Sequence, residues 1–229
     1  MRVALIVFPG SNCDRDMMTA VEAITSRRPA LVWHKERQFD PVDLVIIPGG
    51  FSFGDYLRCG ALAARSPAME AVMDHASRGG AVLGVCNGFQ ILLETGLLPG
   101  TLVKNSGLNF VCRPVSLSCE ETASSPLLDG LDRSQSLTIP VAHNEGNYFA
   151  DDDSLSALEQ NGQIAFRYAV GTHDGPTNPN GSARNIAGIM SANGRILGMM
   201  PHPERAMGDG HSSSDGKRLL TSVLEGVAA

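Results

Sequence analysis

The stretch "AVLGVCNGFQILLETG", Ala81 to Gly96, changes its period halfway along. Ala81–Val85 is a small apolar run of strand type, whereas Phe89, Leu92 and Leu93 recur at helical spacing. Cys86 sits on the joint between the two, with glycine at Gly84 and Gly88. A corner of this kind lifts its side chain above the carboxyl edge of a parallel sheet, where open α/β folds place their ligands. The small neighbours permit a sharp turn. A helix beginning at Asn87 aims free N–H groups and its positive dipole end at the sulfur, which favours thiolate over thiol. The Asn87 N–H is also placed to bind an oxyanion. A buried, inert cysteine explains the corner equally well, so a second feature is needed.

Outward from this corner the alternation repeats. Val3–Phe8 ("VALIVF") is a continuous β-rich run of the kind buried on both faces, followed by "PGSN" and a predicted helix over Asp14–Arg27. Leu31–His34 and the apolar run within Asp43–Gly50 read as strands. Ala61–Ser77 reads as helix, broken or begun anew at Pro67. This order predicts a parallel, doubly wound sheet. The second half changes character. Asn109–Cys119, Ser136–His143 and Gln163–Val170 are predicted strands, with one or two turns of helix over Ser154–Gln160 and a polar loop over 171–182. Ile186–Met200 predicts a hairpin with a type I′ turn at Asn193-Gly194, and Lys217–Gly226 a closing helix. No repeat or long linker divides the chain, so one domain over residues 1–229 is expected.

Composition narrows the function. The net charge is −6 and no run of Lys or Arg exceeds Arg27-Arg28, which argues against nucleic acid as a partner. No apolar segment approaches the roughly 20 residues needed to span a bilayer, so no membrane partner is expected. The first residues run straight into Pro9-Gly10 and read as a strand rather than a secretion signal. Five cysteines without CxxC spacing disfavour a disulfide framework or a structural zinc site. A reducing cytoplasm fits them, and no metal is expected. G-x-G-x-x-G is lacking, and "GHSSSDGKR", Gly210–Arg218, fits a phosphate loop only loosely, so no nucleotide cofactor is expected in this chain.

The second feature is "MMPHPER", Met199–Arg205. Pro201 and Pro203 stiffen the backbone around His202 and Glu204. Projection at i and i+2 lets Glu204 hold one nitrogen of His202 while the other faces Cys86, giving nucleophile, base and orienter. A lone H-x-E is otherwise a common surface turn. "IIPGGFSFGDYLRCG", Ile46–Gly60, ends a strand expected beside the cysteine strand, so the Gly50 or Phe51 N–H could supply a second oxyanion donor.

Cys-x-Gly-x-Gln on an elbow (Cys86, Gly88, Gln90), the upstream Pro-Gly-Gly and the distal His-x-Glu together resemble the class I, or triad, glutamine amidotransferases. "FPGSNCDRD", "PGGFSFGDYLRCGA", "GVCNGFQIL", "AHNEGNY", "NPNGS", "IAGI" and "MPHPER" are similar to the glutaminase subunits that serve the amination of formylglycinamide ribonucleotide in purine synthesis. The likeness runs from Met1 to the closing helix. It implies a flavodoxin-like fold and hydrolysis of L-glutamine through a thioester on Cys86, with His202 and Glu204 completing the triad. It also implies oxyanion N–H groups from Gly50 and Asn87, and Gln90 at the amino-acid end of the substrate. The partners implied are a separate large synthetase subunit that uses ATP and Mg2+, and a small bridging subunit. Two alternatives stay open: a glutaminase or γ-glutamyl peptidase of another pathway, and a catalytically silent regulatory domain.

Other residues carry less. His143 and Glu145 lie in a predicted polar loop, either facing the pocket or partner or without a role. His173 and His211 are expected to be solvated, and His34 and His75 structural. Cys13, Cys59, Cys112 and Cys119 read as ordinary thiols, with Cys13 the exposed one.

Overall fold

The apolar runs of the first half become strands of one sheet in a computed structural model that describes residues 1–171 and 175–228. His173 and part of the predicted 171–182 loop lie outside the described residues. The strands are β1 (Val3–Val7), β2 (Ala30–Trp33), β3 (Leu44–Ile47) and β4 (Ala81–Val85). All residues of β3 and β4 are buried, as their unbroken apolar composition requires. Helix α1 (Asp14–Thr25) stops two residues earlier than its periodicity suggests, because Ser26 turns left-handed and caps onto the Glu22 carbonyl. Helix α2 (Pro67–Ser77) starts on its proline after a short turn at Ala63–Arg65, and α3 (Asn87–Glu94) follows β4 with Cys86 alone between them.

The remaining elements are β5 (Thr101–Val103), β6 (Val111–Cys119), β7 (Leu137–His143), β8 (Asn147–Phe149), α4 (Asp152–Gln160), β9 (Ile164–Ala169), β10 (Ile186–Met190), β11 (Ile196–Met199) and α5 (Asp215–Ala228). Among the described residues nine strands form a sheet of order β2-β1-β3-β4-β11-β10-β9-β6-β7. Pairings from β2 through β11 are parallel, and those from β11 through β7 antiparallel. The parallel part has the flavodoxin-like order, with β11 as its fifth strand. Because β1, β3, β4 and β11 run the same way, the segments after them emerge at one rim. Register fixes the detail: Met199 of β11 lies opposite Val85 of β4.

Two further features depart from the sequence reading. The hairpin of β10 and β11 does not use a type I′ turn, which needs positive φ at both central residues. Only Gly194 is left-handed (φ 66°), and its N–H closes onto the Ser191 carbonyl at 2.9 Å. Asn193 instead accepts from the Arg195 N–H and the Ser191 hydroxyl, which holds its backbone out of the left-handed region. Second, β5 and β8 form a separate two-stranded sheet where a loop was expected around "AHNEGNY". Each is three residues long, too short for a period to register. Stacking of Tyr148 on Phe89, with centroids 6.2 Å apart, seats this small sheet on α3.

Candidate active site

Cys86 occupies the corner with φ 51° and ψ −106°, a conformation that L side chains rarely adopt. Packing enforces it. A Cβ on Gly88 would collide with the Ile47 carbonyl oxygen, and one on Gly84 would lie 2.8 Å from the Gly88 backbone. The glycines therefore let β4, α3 and β3 close on one another and drive the strain into the cysteine. The Cys86 N–H donates to the Met199 carbonyl at 2.8 Å, which pins the elbow to β11. Its sulfur, on a residue 5% exposed, points toward the Ala142 carbonyl at 3.8 Å.

From β11 the chain passes Met200 and Pro201 to His202, whose N–H donates to the Pro140 carbonyl of β7 at 2.8 Å. The imidazole is buried. Its Nδ1 lies 2.7 Å from Glu204 Oε1, and since a carboxylate can only accept, Nδ1 carries the proton. Burial works against charge on this ring, but the Glu204 carboxylate and then the Cys86 sulfur outweigh it and hold its pKa well above the ordinary value. His202 Nε2 has no hydrogen-bond partner among the described residues. The Cys86 sulfur acts on the ring at short range without yet being aligned as that partner, a looseness common before substrate tightens a site. Thus the corner cysteine and the His-x-Glu, far apart in sequence, do meet over the same rim.

Cys13 is a correction to the sequence reading. It is 2% exposed, whereas Cys112 is the exposed thiol. It stands directly before α1, its N–H turned to the Gly49 carbonyl at 3.4 Å, so the packing of β1 against β3 covers it. Its sulfur accepts from Arg205 Nη2 at 3.1 Å, and Arg205 Nε reaches Asp16 at 3.2 Å. Donor atoms of Cys13, His202 and Glu204 lie within 4.8 Å of one another. The His202–Glu204 bond occupies two of them and a guanidinium abuts the third, an arrangement suited to orienting the imidazole rather than to holding a cation.

Between the two oxyanion candidates after β3, the Phe51 N–H is already bound to the Gly10 carbonyl at 2.9 Å. Gly50 (φ 146°) and Asn87, the first residue of α3, have N–H groups with no partner among the described residues. The Asn87 side chain accepts from the Ser52 N–H at 3.1 Å and donates to Gln90 Oε1 at 2.8 Å. Gln90 Nε2 in turn donates to the Glu145 carbonyl at 2.7 Å. Both ends of the Gln90 amide are thus engaged, so it ties the β7–β8 bend to the elbow. Near it, Asp55 and Glu145 crowd Cys59. Burial raises the Asp55 carboxyl, with Glu145 adding to the shift, while burial and then Asp55 push the Cys59 thiol far up.

His143 ends β7 rather than lying in a loop, and it is buried. Its Nδ1 lies 3.1 Å from Asn105 Oδ1 and its Nε2 3.5 Å from Asn180 Nδ2. Burial, and after it the neighbouring His202, lower its pKa to about 4, so it is neutral at physiological pH. His75 bonds the Ala81 carbonyl at 3.2 Å within the core, as its structural reading requires, and His211 is exposed. Cys13, Asp55, Asn105, Asn180 and Arg205 were given no role from sequence. None carries a periodic signal; Cys13, Asp55, Asn180 and Arg205 lie in quoted motifs that could have marked them, and Asn105 lies in none.

The model of the CobB/CobQ-like glutamine amidotransferase domain matches residues 1–218. Phosphoribosylformylglycinamidine synthase subunit PurQ of Rhizobium johnstonii is 52% identical over 229 residues, covering 100% of both chains. The subunit of the same name from Gloeobacter violaceus is 51% identical, covering 100% of this chain and 99% of its own. A chain of the solved PurLQS structure from Thermotoga maritima superimposes with a TM-score of 0.85 at 39% identity, covering 98% of this chain and 97% of that one. No helix among the described residues is long and apolar enough to cross a membrane. The chain belongs to the CobB/CobQ-like glutamine amidotransferase family and, within it, to the PurQ subunits of phosphoribosylformylglycinamidine synthase.

Proposed function

We propose that this chain is a cytoplasmic glutaminase subunit. It hydrolyses L-glutamine to glutamate and ammonia and delivers the ammonia to a separate synthetase, which converts formylglycinamide ribonucleotide to formylglycinamidine ribonucleotide. The observation that carries this reading is the meeting of a strained, glycine-flanked Cys86 with a buried His202–Glu204 pair at one sheet rim.

The Cys86 sulfur attacks the side-chain amide carbon of glutamine, and the carbonyl oxygen takes up negative charge. The Gly50 and Asn87 N–H groups receive that charge; one such donor is worth on the order of a hundredfold to a thousandfold in rate. His202 Nε2 passes a proton to the departing nitrogen, so ammonia leaves and a γ-glutamyl thioester remains. Water then gives its proton to the same nitrogen and attacks the thioester, releasing glutamate and the thiol. Glu204 keeps the imidazole in the tautomer whose Nε2 faces the sulfur. At the far end, the Asp55 and Glu145 side chains, which meet at Cys59, complement the α-ammonium group of an amino acid.

ATP and Mg2+ belong to the synthetase, PurL, and a small bridging subunit, PurS, completes the assembly. The deep burial of Cys86 and His202 supports an active site that opens fully on docking. The test is glutamine hydrolysis by this chain with and without the synthetase and bridging subunits. Turnover is expected to rise on assembly and to vanish with Cys86→Ser, with a +γ-glutamyl adduct on Cys86 trapped by acid quench. Absence of hydrolysis in the full assembly would overturn the proposal.

A further inference from the structure

A polar cluster behind the site takes no part in the chemistry above. Residues 144–146 bend between β7 and β8, and their backbone groups are claimed by residues of three distant segments. The Gly146 carbonyl accepts from Asn180 Nδ2 at 2.7 Å, with the Ser182 hydroxyl oxygen 3.1 Å away. The Gly146 N–H donates to Asn105 Oδ1 at 3.0 Å, and the Asn144 carbonyl accepts from the Asn105 N–H at 2.9 Å. The next link is functional: the Glu145 carbonyl holds Gln90, Gln90 holds Asn87, and Asn87 holds the Ser52 N–H two residues beyond Gly50.

Asn180 is the hub, 0% exposed. Its Nδ2 also donates to the Tyr168 hydroxyl at 3.0 Å, and its Oδ1 accepts from the Ser182 N–H at 3.1 Å and, at 2.7 Å, from the Ser182 hydroxyl, whose one proton it shares with the Gly146 carbonyl. Donor and acceptor are both needed, which a carboxamide supplies and a carboxylate of the same shape does not. We propose that Asn180 is a positioning residue for the glutamine pocket: by fixing the Gly146 carbonyl it sets the Glu145 carbonyl, and through it Gln90 and Asn87. This rests on the glutaminase reading above.

The test is Asn180→Asp, assayed for glutamine kinetics in the assembly with the synthetase and bridging subunits. A buried amide donor turned into an acceptor facing a carbonyl is expected to raise KM for glutamine about tenfold. Alkylation of Cys86 by iodoacetamide, which does not need the amino-acid pocket, is expected to stay within about twofold of wild type. In a Gln90→Ala background the Asn180→Asp change is expected to add little, because its effect passes through Gln90. Should Asn180→Asp not fold, Ser182→Ala removes the hydroxyl that braces the Asn180 carboxamide beside the same carbonyl and is expected to raise KM about threefold. An unchanged KM in the variant that folds, or a full additive effect without Gln90, overturns the positioning role. A lower kcat and melting temperature at unchanged KM would mark Asn180 as structural and overturn it equally. A wild-type assembly that hydrolyses no glutamine fails the glutaminase reading itself and removes both.

Discussion

Replacing His143 by Gln isolates the cost of keeping an imidazole neutral beside the buried His202. The folded pKa of His143 is about 4 against an ordinary 6.5, mainly from burial. Below pH 6.5 the unfolded chain takes up a proton that the folded chain refuses, so stability falls with pH until the folded value is reached. At about 1.4 kcal/mol per unit the whole window is worth about 3 kcal/mol, of which about 2 kcal/mol is spent between pH 7 and pH 5. His202 has the opposite sign. Its raised folded pKa makes its contribution whole below its ordinary value and lost as pH rises through the folded one. It is present in both proteins, as are His34 and His75, and largely cancels in the difference. Urea unfolding followed by far-UV circular dichroism at pH 7, 6 and 5 gives the two curves. Wild type should lose about 2 kcal/mol more than His143→Gln over that range. A difference between the two proteins that stays flat would refute the assignment of His143 as buried and neutral.

Three further outcomes are expected. Gly88→Ala should destabilise the chain by about 1–3 kcal/mol in thermal melts, and should cut turnover in the fraction that remains folded, because the added methyl meets the Ile47 carbonyl and pushes α3 off β3. Glu204→Gln should reduce kcat for glutamine by a factor on the order of a hundred to ten thousand, since it removes a buried carboxylate from a 2.7 Å bond to the imidazole; an effect below tenfold would remove Glu204 from the triad. Dithionitrobenzoate should label Cys112 rapidly in the native protein. Cys59 and Cys119, both buried and with their thiols pushed up by burial, should wait for unfolding.

What could be read from the sequence was whatever depends on neighbours along the chain. The switch of period at Cys86 located β4, the elbow and α3, and Pro67 located the start of α2. Unbroken apolar runs located β1, β3 and β4, and with them the parallel half of the sheet. The meeting of Cys86 with His202 was legible only as a wager, because it depends on β11 pairing with β4 rather than on any spacing. Cys13 misleads in sequence for the same reason: a loop after a first strand looks exposed until β3 and the His202 segment close over it. The bend at 144–146 gave no signal because side-chain amides from Asn105 and Asn180 replace the repeating backbone bonds that leave a pattern in sequence. The turn at Asn193-Gly194 shows a local rule yielding to a local competitor, the Asn193 side chain itself.

The left-handed backbone at Cys86 has a consequence for anyone who breeds this protein for durability. Glycine would accept that geometry freely, and the relief is worth on the order of 1–2 kcal/mol. A directed-evolution campaign scored on heat tolerance alone therefore has a downhill path toward discarding the sulfur. The hardiest descendants would be inert ones, and only a screen that couples survival to ammonia release keeps the lineage useful.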